Sequence, residues 1–515
     1  MSLFRPAAFA FILLATCPSV FAQSPAQEEA PGPVRYRDFG AKGDGKSDDF
    51  EALAKAHDFA NSKGLPVEAD KGATYYIGGA DRTIIIRTNT DFGTARFIID
   101  DTDLKNSSAN VFQVRSLLNS FKPKGISSLK RNQPRIDAKL PGACILAVTN
   151  SNEKRFIRLG KNQNSGSPQT DAFLVDEKGN VDPRTPIIWD FDQVTDVLAR
   201  PIDEATLFIK GGRFTTVANA SEGTGYHARG ISIIRSKVVI DGLEHRIEGE
   251  GDVGAPYYGF INISGCANVM VRNTVLTGHR TYSKIGSAGM RVAMGSYDIT
   301  ATRALNVSFV NCSQTNDIMD SKYWGIIGTN FCKNITYDGC TFSRFDAHQG
   351  VTNATIRNST LGYMGIRLTG SGTFLVENTT VKARHFIHLR EDYGSTWDGD
   401  IIIRNSRFLP PGGGIPSVIG GSNDGQHDFG YTCHMPARIA IDGLHIADPE
   451  DPKGDMGPAI FANFNPKLTD GSYSQGFPYI ITREVILKDV TTASGRPLRI
   501  SDNPFMFRDV KVSGL

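Results

Sequence analysis

The sequence has no apolar run of the roughly 18–20 residues that a membrane-crossing helix requires, so no helical span is expected. Its seven cysteines include no CxxC pair, which removes the signature of a structural zinc site or a thioredoxin-like redox site. Tryptophan is scarce, at three residues, and long Ala/Glu/Lys/Leu stretches that build helices are missing. Charge of one sign is missing too: 56 Lys and Arg face 54 Asp and Glu, leaving a formal +2 and no global field that would gather nucleic acid. Any electrostatic function must therefore be local.

What is present is glycine, 53 residues of it, with much Asn, Thr and Val, the composition of many short strands joined by tight turns. Length does not count domains here, because all-β solenoids run long as single units. Met1 to Arg5 carries one positive charge, Ala7 to Ala15 is apolar, and Val20-Phe21-Ala22 precedes Gln23 as a small-residue cleavage site would. Residues 1–22 thus read as an export signal of a secreted or periplasmic protein. Lipid attachment at Cys17 is the poorer fit, because Thr16 precedes it. The remaining cysteines are Cys144, Cys266, Cys312, Cys332, Cys340 and Cys433. Cys312 and Cys340 recur at one position of a repeat and read as small buried side chains rather than as a bridge.

That repeat is a β-rich run, then Asn or Asp, then a small or polar residue. It appears as VVIDGLE (Asp241), VMVRNTV (Asn273), VSFVNCS (Asn311), ITYDGCT (Asp338), ATIRNST (Asn358), FLVENTT (Asn378), IIIRNSR (Asn405), IAIDGLH (Asp442), VILKDVT (Asp489) and MFRDVKV (Asp509). Spacings run from 20 residues, Asp338 to Asn358, to 47, Asp442 to Asp489. A floor near 20 with longer excursions fits a turn of three short strands whose corners can swell into loops. Asn and Asp tolerate the left-handed corner conformation, and stacked corner amides can form a ladder. Residues 231–515 are expected to form a regular parallel β-helix, residues 23–100 a cap with the first turns, and residues 101–230 irregular early turns. The basic stretch Leu117 to Leu140, with Lys122, Lys124, Lys130, Arg131 and Arg135, reads as an inserted, solvated surface.

The segment "RDFGAKGDGKSDDFEALAKA" within Val34 to Ile77 reads as strand, Gly/Asp-rich loop and an amphipathic helix from about Asp48 to Ser62. It closely resembles the N-terminal cap of pectate-lyase-superfamily β-helices, shared by polygalacturonase-like hydrolases, phage tailspikes and several exported lyases. The resemblance implies an all-β, single-stranded right-handed parallel β-helix closed by a short capping α-helix. It does not fix the reaction. Asp44, Asp48 and Asp49 in this loop suit backbone capping better than a metal cluster.

On a solenoid, long insertions gather on one face and often build the site. Counted from the corner residues, His279, Asp317 and Arg344 fall at +6, His385 at +7, Arg367 at +9, and His348 and His388 at +10. With turns about 4.8 Å apart, matching offsets would line these residues into one stripe. A stripe of His, Arg, Lys and Tyr suits an anionic polysaccharide cleaved by β-elimination: a cation on the uronate carboxylate, a base at C5 and an acid at the leaving oxygen. The catalytic candidates are His348, Lys322, Tyr323, His388 and Arg367. His279, Arg280, Arg344, His385, Arg390, Tyr363 and Trp324 are the substrate-binding candidates. Hydrolysis would instead use Asp317, Asp320 and Asp346. The polygalacturonase motifs Asn-Thr-Asp-Gly, the aspartate pair before Gly-His-Gly, and Arg-Ile-Lys are missing, which weakens that alternative. A non-catalytic carbohydrate-binding β-helix is the third reading. In its cap, turns and basic groove the chain looks most like exported bacterial lyases of glycosaminoglycan-type polymers. No cofactor is expected to be required; Ca2+ is left open without a recognisable motif, as are metal ligands and oligomeric state.

Overall fold

The structure, a computed structural model, describes residues 32–514 except 80, 105–106, 220–221, 224, 287–288, 325–326 and 450–455. The expected export signal and Cys17 lie outside the described residues. From residue 33 the chain winds into a right-handed parallel β-helix in which, among the described residues, thirty strands join one hydrogen-bonded network. Among the described residues no helix is long and apolar enough to cross a membrane.

Each turn contributes to three sheets. In the first sheet, successive turns place Ile240, Val271, Phe309, Tyr337, Ile356, Val376, Ile403, Ile441 and Leu487 in one inward column. All nine are buried. Alternation along each strand produces this column, since every second side chain faces the interior and parallel pairing stacks like on like.

Nine of the ten corners are where the repeat places them, with one refinement; Asp509 is the exception, since it stands in a turn before the strand Lys511–Ser513 instead of after a strand and is not left-handed. Asn273, Asn311, Asn358, Asn378, Asn405 and Asp489 are left-handed, with φ between 44° and 53°. At Asp241, Asp338 and Asp442 the following glycine takes over instead, with φ of 75°, 66° and 80° at Gly242, Gly339 and Gly443. Glycine carries no Cβ penalty there, so the aspartate is freed to accept from its neighbour. Asn273 and Asn358 donate to Asp241 and Asp338, each at 2.8 Å, and Asn378 donates to Asn358 at 3.3 Å. Cys312 and Cys340, one position further on, are free and buried, as are the other four described cysteines.

The helix Phe50–Lys63 closes the N-terminal end and stops at Gly64, φ 68°. Phe50, Leu53, Ala56, His57 and Ala60 form its buried face. The cap aspartates hold backbone: Asp49 accepts from the Lys42 and Gly43 amides, and Asp44 from those of Lys46 and Ser47.

Between the strands Phe112–Val114 and Leu207–Val217 the chain leaves the solenoid. It builds a three-stranded antiparallel sheet, Asp196–Pro201, Cys144–Arg155 and Ser167–Val175, with its own core around Leu146, Phe173 and Phe191. Most cations of the basic stretch are engaged at its surface: Lys122 with Asp196, Lys130 with Asp192 and Arg131 with Asp398.

The corner geometry makes a prediction. Asn358→Val forces a β-branched residue into φ 53° and removes the bonds to Asp338 and Asn378, so it should cost about 2–3 kcal/mol, whereas Asn358→Gly should cost less. Urea unfolding of the two variants measures the difference, and equal midpoints would contradict it.

Candidate active site

Three consecutive turns of the third sheet set Asp346 opposite Arg367 and Arg367 opposite His388. Phe345, Ile366 and Ile387 between them are fully buried in the core, so alternation turns the three polar side chains outward. Arg344 precedes Asp346 by two residues and Arg390 follows His388 by two, which puts both on the same outer face.

These groups form a chain of alternating charge. Arg344 Nη2 lies 2.8 Å from Asp346 Oδ2, an ion pair too oblique for a hydrogen bond. Arg390 Nη1 donates to the other Asp346 oxygen at 2.8 Å, while its Nε and Nη2 donate to Asp392 at 3.1 and 2.8 Å. Asp392 also receives Arg158 Nε at 2.9 Å, with Arg158 Nη2 at 2.7 Å. Burial alone would raise the Asp346 pKa, but the Arg344 and Arg390 guanidiniums outweigh it and hold the carboxyl at about 2. The Arg344 guanidinium lies 5.3 Å from the Tyr297 ring and 5.4 Å from Trp324. Tyr363 reaches the Ser321 carbonyl at 3.4 Å.

Three histidines border the chain, each less basic than a free imidazole. Burial, then Arg390, brings His348 to about 3; its Nδ1 is 2.9 Å from Asn330 Oδ1 and its ring meets Tyr393 edge-on. Burial, then Arg384 and Arg367, brings His385 to about 4, with Nδ1 2.7 Å from Ser417 Oγ. Burial, Arg367 and His385 lower His388 well below its usual range. His388 Nε2 stands 3.6 Å from Glu391 Oε1, whose carboxyl burial pushes upward. Arg367 has no carboxylate of its own: among the described residues it forms no ion pair, and its Nε is buried without a hydrogen-bond partner.

The structure therefore gathers Arg344, Asp346, His348, Arg367, His385, His388, Arg390, Trp324 and Tyr363. It does not gather the rest. The His279 ring stacks on Tyr257 at 3.9 Å with Nδ1 2.8 Å from Glu250, and Arg280 binds the Gly251 carbonyl and Asp252. Lys322 is exposed, and its ammonium makes no ion pair among the described residues; Tyr323 follows it in a loop tied to the Thr281 amide. Asp317 and Asp320 each accept the backbone N–H two residues on, holding the same loop. Equal offsets fail as a guide because the strands carry register shifts, at Phe342/Arg344 and at Thr329/Asn330, so turns of different length share a register. Tyr297, Asn330 and Arg158 belong to the site without having been singled out, and Glu391 and Asp392, in the polar excursion after Asn378, belong to it without having been given a role. Arg158 arrives from the insertion, 234 positions before Asp392, and nothing local in the sequence announces it.

Solved structures share this fold at low identity. The gp54 tailspike of Acinetobacter baumannii bacteriophage AP22, solved with an A. baumannii capsular saccharide, matches with a TM-score of 0.53 at 10% identity, over 93% of this chain and 79% of that one. The tailspike gp49 of Pseudomonas phage LKA1 matches with a TM-score of 0.50 at 15% identity, over 89% and 81%. No family model matches the sequence, and no curated protein matches it. Such likeness establishes the parallel β-helix and leaves the chemistry to the site.

Asp346→Asn leaves two buried guanidiniums short of a charge partner and should destabilise the protein by about 3–5 kcal/mol at neutral pH. The Asp346 pKa is depressed on folding, so its contribution is full above the unfolded value near 4 and fades as pH falls toward 2. Urea unfolding of both proteins should show the gap narrowing over that window; a constant gap would refute the ionised role.

Proposed function

We propose that this chain is an exported polysaccharide lyase that cleaves a uronic-acid-containing polymer by β-elimination. One observation carries the reading: Arg158, Arg344, Arg367, Arg384 and Arg390 surround a face where, among the described residues, Asp346, Asp392 and Glu391 are the carboxylates, and Arg367 and Arg384 form no ion pair, Arg367 being the one in register with His388. An anionic sugar supplies the missing charge. That the AP22 tailspike was solved with a saccharide supports a glycan ligand for this architecture.

In this reading Arg367 binds the uronate carboxylate, and the carbanion-like state formed at C5 is stabilised through that contact. His388, neutral in the empty site, takes the C5 proton. The electron pair becomes the C4–C5 double bond as the C4–O bond breaks. Glu391, biased toward its protonated form by burial, gives a proton to the departing oxygen. His348, its Nδ1 engaged by Asn330 and its ring against Tyr393, orients the substrate. Hydrolysis fits less well, because Asp346 has no proton to give and Asp317 and Asp320 secure a turn.

The test is ultraviolet absorbance during incubation with hyaluronan, chondroitin, dermatan, heparin, alginate and polygalacturonate. The expected result is a rise on at least one polymer, a loss of about 100-fold or more in kcat for His388→Ala, a raised KM for Arg367→Ala, and near-normal rates for Arg280→Ala. New reducing ends without absorbance would replace elimination by hydrolysis.

A further inference from the structure

We propose that a second site, for an uncharged saccharide unit, lies beside the cationic face at the corner between the third and first sheets. The corner and the inserted sheet frame a narrow cleft with a cavity volume of about 70 Å³. Its walls are aromatic: Phe156 and Trp189 from the insertion face Phe331 and Tyr431. Flat rings of this kind take the C–H faces of a sugar.

Charge in the pocket is already satisfied. Lys333 and Asp171, both 2% exposed, pair at 2.7 Å, and Arg131 and Asp398 pair at 2.8 Å nearer the solvent. No cation is left for a carboxylate, in contrast to Arg367 next door. A polar group is left instead. The Thr369 hydroxyl is fully buried, lines the pocket and has no hydrogen-bond partner among the described residues. Buried hydroxyls are rarely left unpaired without a reason, and a ligand hydroxyl or amide satisfies this one.

The backbone gives a third sign. Phe156 and Phe331 both adopt left-handed conformations, φ 55° and 54°, with ring centroids 5.2 Å apart. On the next turn the corner position of Phe331 is filled by Gly350. Bulky residues in this region are strained and are retained where the side chain is needed.

The pocket and the cationic face adjoin. Thr369 follows Arg367 by two residues, about 7 Å at extended spacing. Tyr393 links the two: its carbonyl accepts the Tyr431 hydroxyl at 2.9 Å, its ring contacts Phe156, and its other neighbour is His348. Resting on the lyase reading, this assigns the substrate to polymers that pair a uronate with a neutral sugar, such as hyaluronan or chondroitin, rather than to homopolymers of uronate.

The pocket can be tested without turnover. Trp189 is one of three tryptophans, so N-acetylglucosamine, N-acetylgalactosamine and galactose should shift intrinsic fluorescence saturably, and Trp189→Phe should abolish the shift. Thr369→Val, which preserves shape, should weaken the response about tenfold and raise KM on the cleaved heteropolymer. No saturable shift, a shift that survives in Trp189→Phe, or equal responses to glucuronate and galacturonate would each overturn the site. Elimination with a silent pocket sinks this inference alone. Saturable binding of neutral sugars with no elimination on any polymer sinks the lyase reading and leaves the pocket standing.

Discussion

Everything in this molecule depends on the parallel backbone ladder, which fixes each turn about 4.8 Å from the next and forces like positions to stack. A one-residue slip would exchange the buried column from Ile240 to Leu487 for the polar residues beside it. Left-handed corners resist that slip, because each fixes where one strand ends. The ladder constrains strands and leaves connections free, so across the insertion between Val114 and Leu207 the turns still pair, Arg213 to Val217 with Arg96 to Asp100 and Ile231 to Ile233 with Phe112 to Val114. Function follows from this division: rigid strands hold Asp346, Arg367 and His388, and loops bring the groups that tune them.

The alternating chain from Arg344 to Arg158 is best understood as a positioning device. Buried ion pairs add little net stability once desolvation is counted, but removing one partner is costly. Here the arrangement anchors the insertion to the solenoid through Arg158 and holds Arg390 by two carboxylates. Each carboxylate in the chain is shared between two guanidiniums. Arg367, adjacent to but outside the chain, keeps its charge available.

How much of this was legible follows from how local each signal is. The cap helix, read as about Asp48 to Ser62, runs Phe50–Lys63, because its apolar period lies within one short segment. The corners were legible for the same reason, down to Asn358 and Asn378. The site was legible in part. Asp346, Arg367 and His388 stand 8, 9 and 10 residues after Asp338, Asn358 and Asn378, yet they share one register, since each successive arc holds one more residue. Equal counting therefore set His279 and Asp317 level with Arg344, although His279 pairs with Glu250 and Asp317 holds a turn. Arg158 and the Thr369 pocket had no sequence signal, because both depend on where a distant insertion folds back.

The lowered basicity of the histidines ties recognition to reaction. His388 is depressed by burial and then by Arg367, the group proposed to hold the substrate carboxylate. In the empty site a strong base and an unpaired cation cannot coexist at that spacing, so the imidazole is neutral but weak. In the proposed reaction a carboxylate on Arg367 would offset the second cause, leaving burial, and so raise the basicity of His388 in part. A neutral sugar in the same position would leave Arg367 uncompensated and the base weak. In the proposed reaction the site would thus select for the acid twice, in binding and in the proton transfer that binding enables, and the proposed neighbouring pocket, where the Lys333–Asp171 and Arg131–Asp398 charges are paired, would take the neutral partner.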